Sequence, residues 1–369
     1  MSHDFLIIGA GIAGASLAAE LADDGSVLLL EAEEMPGYHS TGRSAAFWSE
    51  TYGGPYVQPL TSASHDSLAN PDAAFSDTPF LRQRGALHIA EQSGLADLDL
   101  LEGEFAASGV TLARLSGDAI SDRCPGIQQQ WNQALWEPSC ADIDVAALHQ
   151  AYLAAARRAG VALRCSAPVE SVERRDQGWR VSAAGEEIEA AILINAAGAW
   201  ADPVARMAGV RPLGIAPYRR TVIQLRTDPV IPEELPLVID VEGRFYFKGE
   251  NGRLWLSPHD ETPCEAGDVA AEEWDIALAI DRLEKAVDWK ILGIDRKWAG
   301  LRNFAPDRLP VFGYDRDTPN FFWCAGQGGF GIQTAPAAAK LCRALLLDRT
   351  LPAAIERVDP ERYLPSRLA

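Results

Sequence analysis

The stretch that most constrains this chain is its beginning, "DFLIIGAGIAGASLAAELADDGSVLLLE", from Asp4 to Glu31. Phe5 to Ile8 is a short unbroken apolar run, which suits a strand buried on both faces. Gly9, Gly11 and Gly14 follow in G-x-G-x-x-G spacing, and Ala15 to Ala22 reads as a helix of small and apolar residues that Gly25 ends. Val27 to Leu30 is a second buried strand closing on Glu31. Strand, glycine turn, helix and strand in so few residues make a βαβ unit.

Each glycine has a physical task there. Gly9 permits a tight turn, Gly11 lets the backbone approach a pyrophosphate, and Gly14 lets the helix pack close on the strand. The helix N-terminus then points its positive end at phosphates. Glu31, twenty residues after Gly11, ends the second strand where a carboxylate can bond ribose hydroxyls. A glycine-rich turn alone is compatible with an ordinary α/β fold. The whole context predicts a dinucleotide, without choosing between NAD and FAD.

Charge narrows the partners. Lys plus Arg number 33 and Asp plus Glu 52, a net charge of −19. Nucleic acid and anionic membranes are not expected partners, because phosphate contacts need clustered Lys and Arg. An anionic small molecule stays open, since a few pocket arginines reverse the local field. Cys124, Cys140, Cys165, Cys264, Cys324 and Cys342 form no CxxC pair. Neither a disulfide framework nor a metal site is therefore expected, and a reducing, cytoplasmic setting is. The N-terminus has no basic n-region and carries Asp4 and three glycines, unlike a signal peptide. No run reaches the roughly 18 apolar residues of a membrane span.

With 369 residues the chain suits two domains. Val145 to Ala159 reads as a helix that Asp142 or Asp144 caps, and "VALRCSAPVESVERR" as paired strands. "AAILINAAGAWADPVARMAG" is a strand, a glycine turn and a helix, resuming the parallel sheet. From Pro212 to about Asp260, "RRTVIQLR", "LPLVIDVEG", "RFYFKGENG" and "RLWLSP" alternate as antiparallel strands. "AAEEWDIALAIDRLEKAVDW" is an amphipathic helix, and "FFWCAGQGGFGIQTAPAAAKLCRALLL" is a strand, a glycine-rich turn and a closing helix. The expectation is an α/β fold in which residues 1–50, 140–210 and 298–369 form a discontinuous Rossmann-like nucleotide domain. Residues 51–139 and 211–297 form an interleaved, mostly antiparallel β-sheet substrate domain, with no clean linker.

The pieces "PGYHSTGRSAA", "ADID", "NAAGAW", "RPLG", "WAGLR" and "QGGFGIQT" together resemble the D-amino acid oxidase and glycine oxidase family of flavoproteins. The resemblance runs from Asp4 to about Leu347, and within the family it is greatest to the bacterial D-arginine dehydrogenase type. It implies a D-amino acid oxidase-like fold with FAD as the nucleotide. No cysteine of the kind that tethers flavin in some relatives stands in "GLRNFAP", so FAD is expected to be non-covalent. It further implies that Thr41, Arg43, Ser44, Ala45 and Ala46 meet the pyrophosphate and flavin edge, and that Val169 meets the adenine. Ala197 and Gly198 would form a turn against the cofactor. Gly328, Gly329, Gly331, Ile332 and Gln333 would face the flavin pyrimidine carbonyl.

The implied reaction is hydride transfer from the α-carbon of an amino acid to flavin N5, with no dedicated base. Arg302 matches the arginine that pairs with the substrate carboxylate; a structural ion pair with Asp307 is the plain alternative. Of Arg219 and Arg220, strand alternation turns one inward; Arg220 is taken as the pocket residue and Arg219 as a solvated charge. Tyr246 and Tyr52 match substrate-facing phenols, against the alternative of core packing. His39 is expected to make a local hydrogen bond rather than a covalent link.

Two departures from the arginine-specific pattern bear on the substrate. Phe47 stands where that type has a histidine, and Ala86 where it has an acidic residue. A cationic side chain loses its partner there, while Phe47 and Trp48 make the pocket mouth apolar; Glu50 could offer a replacement carboxylate, with a surface role as the plainer reading. The expected substrate is thus a neutral or hydrophobic D-amino acid. Secondary amines and 2-hydroxy acids are the alternative, followed by a flavin-binding protein without turnover. The electron acceptor is left unassigned.

Overall fold

The doubly apolar first strands dictate where everything else in the nucleotide layer goes. The computed structural model describes residues Ser2–Leu368. Strand Ser2–Ile8 lies parallel between Val27–Leu30 and Glu186–Asn195. Side chains alternate along a strand, so Phe5, Ile7, Val27 and Leu29 enter one core while Leu6, Ile8, Leu28 and Leu30 enter another on the opposite face. Helices Ile12–Leu21, Val145–Arg158 and Gly331–Leu346 cover the first face. Ala162–Arg164 and Phe321–Ala325 add further parallel pairings, and Val169–Arg175 with Gly178–Ala183 extend the sheet antiparallel. Val311–Tyr314 completes eight strands.

Of the two candidate caps of Val145–Arg158, Asp144 serves: its Oδ1 accepts from the Ala147 amide at 2.9 Å. Asp142 is instead bound by Arg84 Nε at 2.6 Å and Lys248 Nζ at 2.8 Å. The segments of "VALRCSAPVESVERR" do not pair with each other, contrary to expectation. Ala162–Arg164 pairs with Val27–Leu30, and Val169–Arg175 with Gly178–Ala183. The cause is local: the Ser166 and Ala167 amides donate to the carbonyls of Glu33 and Glu31, both at 2.8 Å, which ties the connection to the Glu31 edge.

The alternating segments after Pro212 become strands Ala216–Asp228, Leu237–Asp240, Tyr246–Glu250 and Arg253–Ser257 of a ten-stranded sheet. Its pairings are antiparallel except that of Leu237–Asp240 with Ala86–Ala90. Helix Glu273–Ala286 lays Ile276, Ala279 and Leu283 on this sheet's core. Two stretches bind the layers together. Helix Gln58–Ala69 sends Leu60 and Leu68 into the nucleotide-layer core. The long strand Lys290–Phe304 pairs with Ala216–Asp228 along its length, and its last turns of chain reach the cavity between the layers.

Candidate active site

A cleft lined by Gly11 and Glu31 is also lined by Arg302 and Tyr246, so one continuous cavity links the glycine turn to the arginine and the phenol. Its first wall is the glycine turn. Gly9 has φ 100°, and a Cβ on it would stand 2.5 Å from the Ala196 carbonyl oxygen. A Cβ on Gly14 would stand 1.9 Å from the Gly9 carbonyl oxygen, so the helix packs this close to the turn only because residue 14 is glycine. Gly11, Ile12 and Ala13 line the cavity, bringing the amides of a helix's first turn to it, and those amides have no partner inside a helix. The Glu31 carboxylate also lines it while accepting from the Ala10 and Glu33 amides, each at 3.0 Å.

The segment after the second strand does different work from residue to residue. Thr41 lines the cavity, but its Oγ1 accepts from the Ile12 amide at 3.0 Å and so caps the first helix. Arg43 also lines it, with its guanidinium directed to the carbonyls of Val269 and Ala299 and to the Asp268 carboxylate. Ser44 and Ala45 line the cavity, and Ala46 a smaller pocket joined to its inner end. His39 finds the local partner expected, Glu33 at 2.8 Å. Ala197 and Gly198 form part of the wall; Val169 stands outside the lining.

At the far end, Gly328, Gly329, Gly331 and Ile332 line the cavity where helix Gly331–Leu346 begins. Gln333 is 1 % exposed, and its amide accepts from the Ser49 amide and donates to Tyr52 O and Thr61 Oγ1. It clamps the Tyr52 loop. Two helix N-termini thus open on one cavity, which suits a pyrophosphate at the first and the electron-rich ring edge of a flavin at the second.

The smaller pocket is lined by Ala46, Phe47, Tyr52, Tyr246, Arg302, Gly329 and Ile332 among others. Among the described residues Arg302 has no ion-pair partner; Asp307 is held by Arg367 at 2.7 Å. The Arg302 guanidinium lies 5.6 Å from the Tyr52 ring centroid. Gly329 is what lets the two meet there, since a Cβ on it would stand 2.0 Å from the Tyr52 hydroxyl and 3.0 Å from Arg302 Nε. Gly329→Ala is expected to lower kcat/KM about tenfold, the weight of about 1.4 kcal/mol, measured per bound flavin.

Arg220 also lines the cavity, 4 % exposed, with Nη1 unpartnered among the described residues. Burial, and then the nearby Arg302 charge, push its pKa down to about 10, which still leaves it a cation at neutral pH. The same two arginines, after burial, hold His259 down to about 2, so this imidazole on the edge of the Tyr246 ring is neutral. Arg219 is not a solvated charge. Alternation turns it away from the cavity, but helix Glu273–Ala286 covers that face, and Arg219 is buried against Asp275 at 2.7 Å and Glu272.

Trp48 is not at the pocket mouth either. Phe47 and Trp48 are neighbours on one strand and face opposite ways. Trp48 enters the nucleotide-layer core, with Nε1 donating to Thr61 O at 3.0 Å. Phe47 alone faces the pocket, 5.3 Å from the Tyr52 ring and 6.0 Å from the Tyr246 ring, in one apolar cluster with Ala86, Cys140 and Leu237. Glu50 accepts from Ser62 and Ser139.

Sequence reasoning missed Glu137, the register partner of Ala86. Its buried carboxylate accepts from the Glu50 amide, Ser49 Oγ, Thr51 Oγ1 and His88 Nε2 at 2.7–3.1 Å. It fixes the chain between Phe47 and Tyr52. Burial alone would raise its pKa, but the bonds from His88, Thr51 and Glu50 hold it below the ordinary carboxylate value. A depressed folded value stabilises the protein above the unfolded pKa of about 4.3 and is lost as pH falls through the folded one. Glu137→Gln is expected to cost about 2 kcal/mol at pH 7. Urea midpoints should show that gap closing as pH falls below about 4.3.

A cavity walled by a G-x-G-x-x-G turn and ending beside an arginine and two tyrosines has the parts a flavin-dependent oxidoreductase requires. A family model described as FAD dependent oxidoreductase (DAO) matches residues 4–345, and the chain belongs to that family. It is 27% identical to the mitochondrial dimethylglycine dehydrogenase of Mus musculus over 393 residues, covering 97% of this chain and 44% of that protein. The chain thus spans less than half the length of that relative. It is 25% identical to the hydrogen cyanide synthase subunit HcnC of Pseudomonas aeruginosa, over 100% of this chain and 98% of that one. The structure of L-proline dehydrogenase from P. horikoshii superposes with a TM-score of 0.84 at 21% identity, over 98% of each chain. The α/β fold expected from sequence, an FAD-binding Rossmann-like layer with an antiparallel substrate sheet, is the fold observed. The family is the level these likenesses establish; the D-arginine dehydrogenase type rests on the motifs alone. Among the described residues no helix is long and apolar enough to cross a membrane.

Proposed function

We propose that this protein oxidises the carbon–nitrogen bond of a neutral amino acid, of D configuration or N-alkylated, to the imino acid that water hydrolyses. FAD, when bound, supplies the two-electron acceptor for the α-hydrogen. The observation that carries the reading is Arg302, a guanidinium without a carboxylate partner among the described residues, beside Phe47, Tyr52 and Tyr246 in a pocket that shares lining residues with the nucleotide cavity. Arg302 takes the substrate carboxylate, with the unpartnered Nη1 of Arg220 adding positive potential from the cavity wall. The phenols of Tyr52 and Tyr246 orient the carboxylate and amine. Phe47, with buried Ala86 packed in the same cluster, leaves the pocket wall apolar where a cationic side chain would need a carboxylate, and Glu137 is already engaged by four donors. Gly11–Ala13, Glu31, Ala197–Gly198 and Gly328–Ile332 would hold the cofactor. N-alkylated substrates belong in the reading because relatives are named for dimethylglycine and L-proline.

Anaerobic bleaching of the bound flavin by D-, L- and N-methyl amino acids and 2-hydroxy acids tests this. Small neutral amino acids are expected to bleach fastest, with ammonia or methylamine released. Fastest bleaching by D-arginine or D-lysine would refute the substrate class, and none by any amine the activity. The flavin is expected in the supernatant after acid precipitation, as befits non-covalent FAD. Phe47→Ala is expected to admit bulkier apolar substrates, raising their kcat/KM about tenfold against alanine, the scale of one or two buried methylenes.

A further inference from the structure

Asn303 follows Arg302 on the strand Lys290–Phe304, and no role described so far uses it. It lines the cavity yet is only 7 % exposed, and its Oδ1 is buried without a hydrogen-bond partner among the described residues. Buried amides are paired in nearly all native proteins, so an orphan calls for a partner the protein itself does not supply. Gly198 stands beside the amide, where a Cβ would lie in ordinary contact with Asn303 Nδ2 at 3.5 Å. Gly328, the register partner of Asn303, also lines the cavity.

The position decides which half of the ligand is within reach. Glu31 and Gly11 mark the phosphate and ribose end of the cavity. Asn303 stands between the two glycine turns: its Nδ2 is beside Gly198, in the turn that abuts Gly9, while its register partner Gly328 and its chain neighbour Arg302 place it on the side of the turn that opens helix Gly331–Leu346. We propose that the Asn303 carboxamide hydrogen-bonds the flavin half of FAD, its ring edge or ribityl chain, and is a binding residue for the cofactor. This rests on the cavity being the FAD site and is independent of the substrate. An amide both donates and accepts, so it can serve either an imide edge or a ribityl hydroxyl.

The test separates the two halves of the ligand. The full chain and its Asn303→Leu variant, stripped of flavin, are titrated with FAD by fluorescence quenching and with ADP by calorimetry. The expected result is a rise of about tenfold in the FAD Kd, the loss of one hydrogen bond to the ligand. The ADP Kd stays within about twofold, and the absorption maximum of the bound flavin moves. Asn303→Ala, which leaves a gap in place of apolar bulk, must show the same FAD-selective loss, and it replaces the leucine variant should that fail to fold. An unchanged FAD Kd overturns the assignment. So does an equal loss for FAD and ADP, which would mark a general disturbance of the cavity. Failure of the unaltered chain to bind FAD would overturn the cofactor reading as well, whereas FAD binding indifferent to residue 303 overturns this assignment alone.

Discussion

Replacing Arg302 by leucine is expected to lower kcat/KM for the amino-acid substrate about a thousandfold while FAD stays bound. Removing one partner of a desolvated charge pair costs about 2–5 kcal/mol, and about 4 kcal/mol corresponds to a factor near a thousand. No carboxylate of the protein competes for this guanidinium among the described residues, because Asp307 is occupied by Arg367. The free protein therefore loses little from the change, and the effect falls on substrate. Arg302→Lys should recover part of the loss, since a point charge remains where the bidentate fork is gone. The check is a turnover series paired with the ratio of flavin to protein absorbance. A leucine variant that turns over normally would remove the carboxylate-binding role.

Gly9→Ala is expected to weaken FAD binding by about a hundredfold, and the variant should purify largely colourless. A residue with a side chain at φ 100° is strained by about 1–3 kcal/mol. The added Cβ would also sit 2.5 Å from the Ala196 carbonyl. Relief requires parting the first turn from the Ala196–Gly198 turn, and both line the cavity. At about 1.4 kcal/mol per decade, a hundredfold loss corresponds to about 2.8 kcal/mol. Unlike Arg302→Leu, this change should act on cofactor before substrate, so FAD titration and substrate kinetics distinguish the two.

These two residues also mark how far the sequence could be read. The glycine turn is local. Its strand, turn, helix and acidic end lie within one βαβ unit, and spacing alone assigns Gly9, Gly11, Gly14 and Glu31 the places they occupy. Arg302 needed the motif around it, and the structure then excluded the bond to Asp307, which Arg367 holds. Where a residue was placed by alternation, the reading went half way. Alternation separated Arg219 from Arg220, but it carries no information on what covers the outward face, and a helix rather than water covers Arg219. Phe47 and Trp48 were read as one apolar mouth, although adjacent residues on a strand face opposite ways.

By itself the sequence determined the dinucleotide-binding unit, the flavoprotein resemblance, the alternation of sheet and helix and the apolar character at positions 47 and 86. These are properties of spacing and side-chain type within short windows. Tertiary structure alone decided that Thr41 caps a helix, that Gln333 clamps the Tyr52 loop and that Glu137 anchors the same loop from the other side. Tertiary structure alone also left Asn303 Oδ1 without a hydrogen-bond partner among the described residues. Each of these rests on groups from separate elements. Ser49 and Gln333, for example, are 284 positions apart, and a hydrogen bond between such groups exists only once both layers have packed around the cavity.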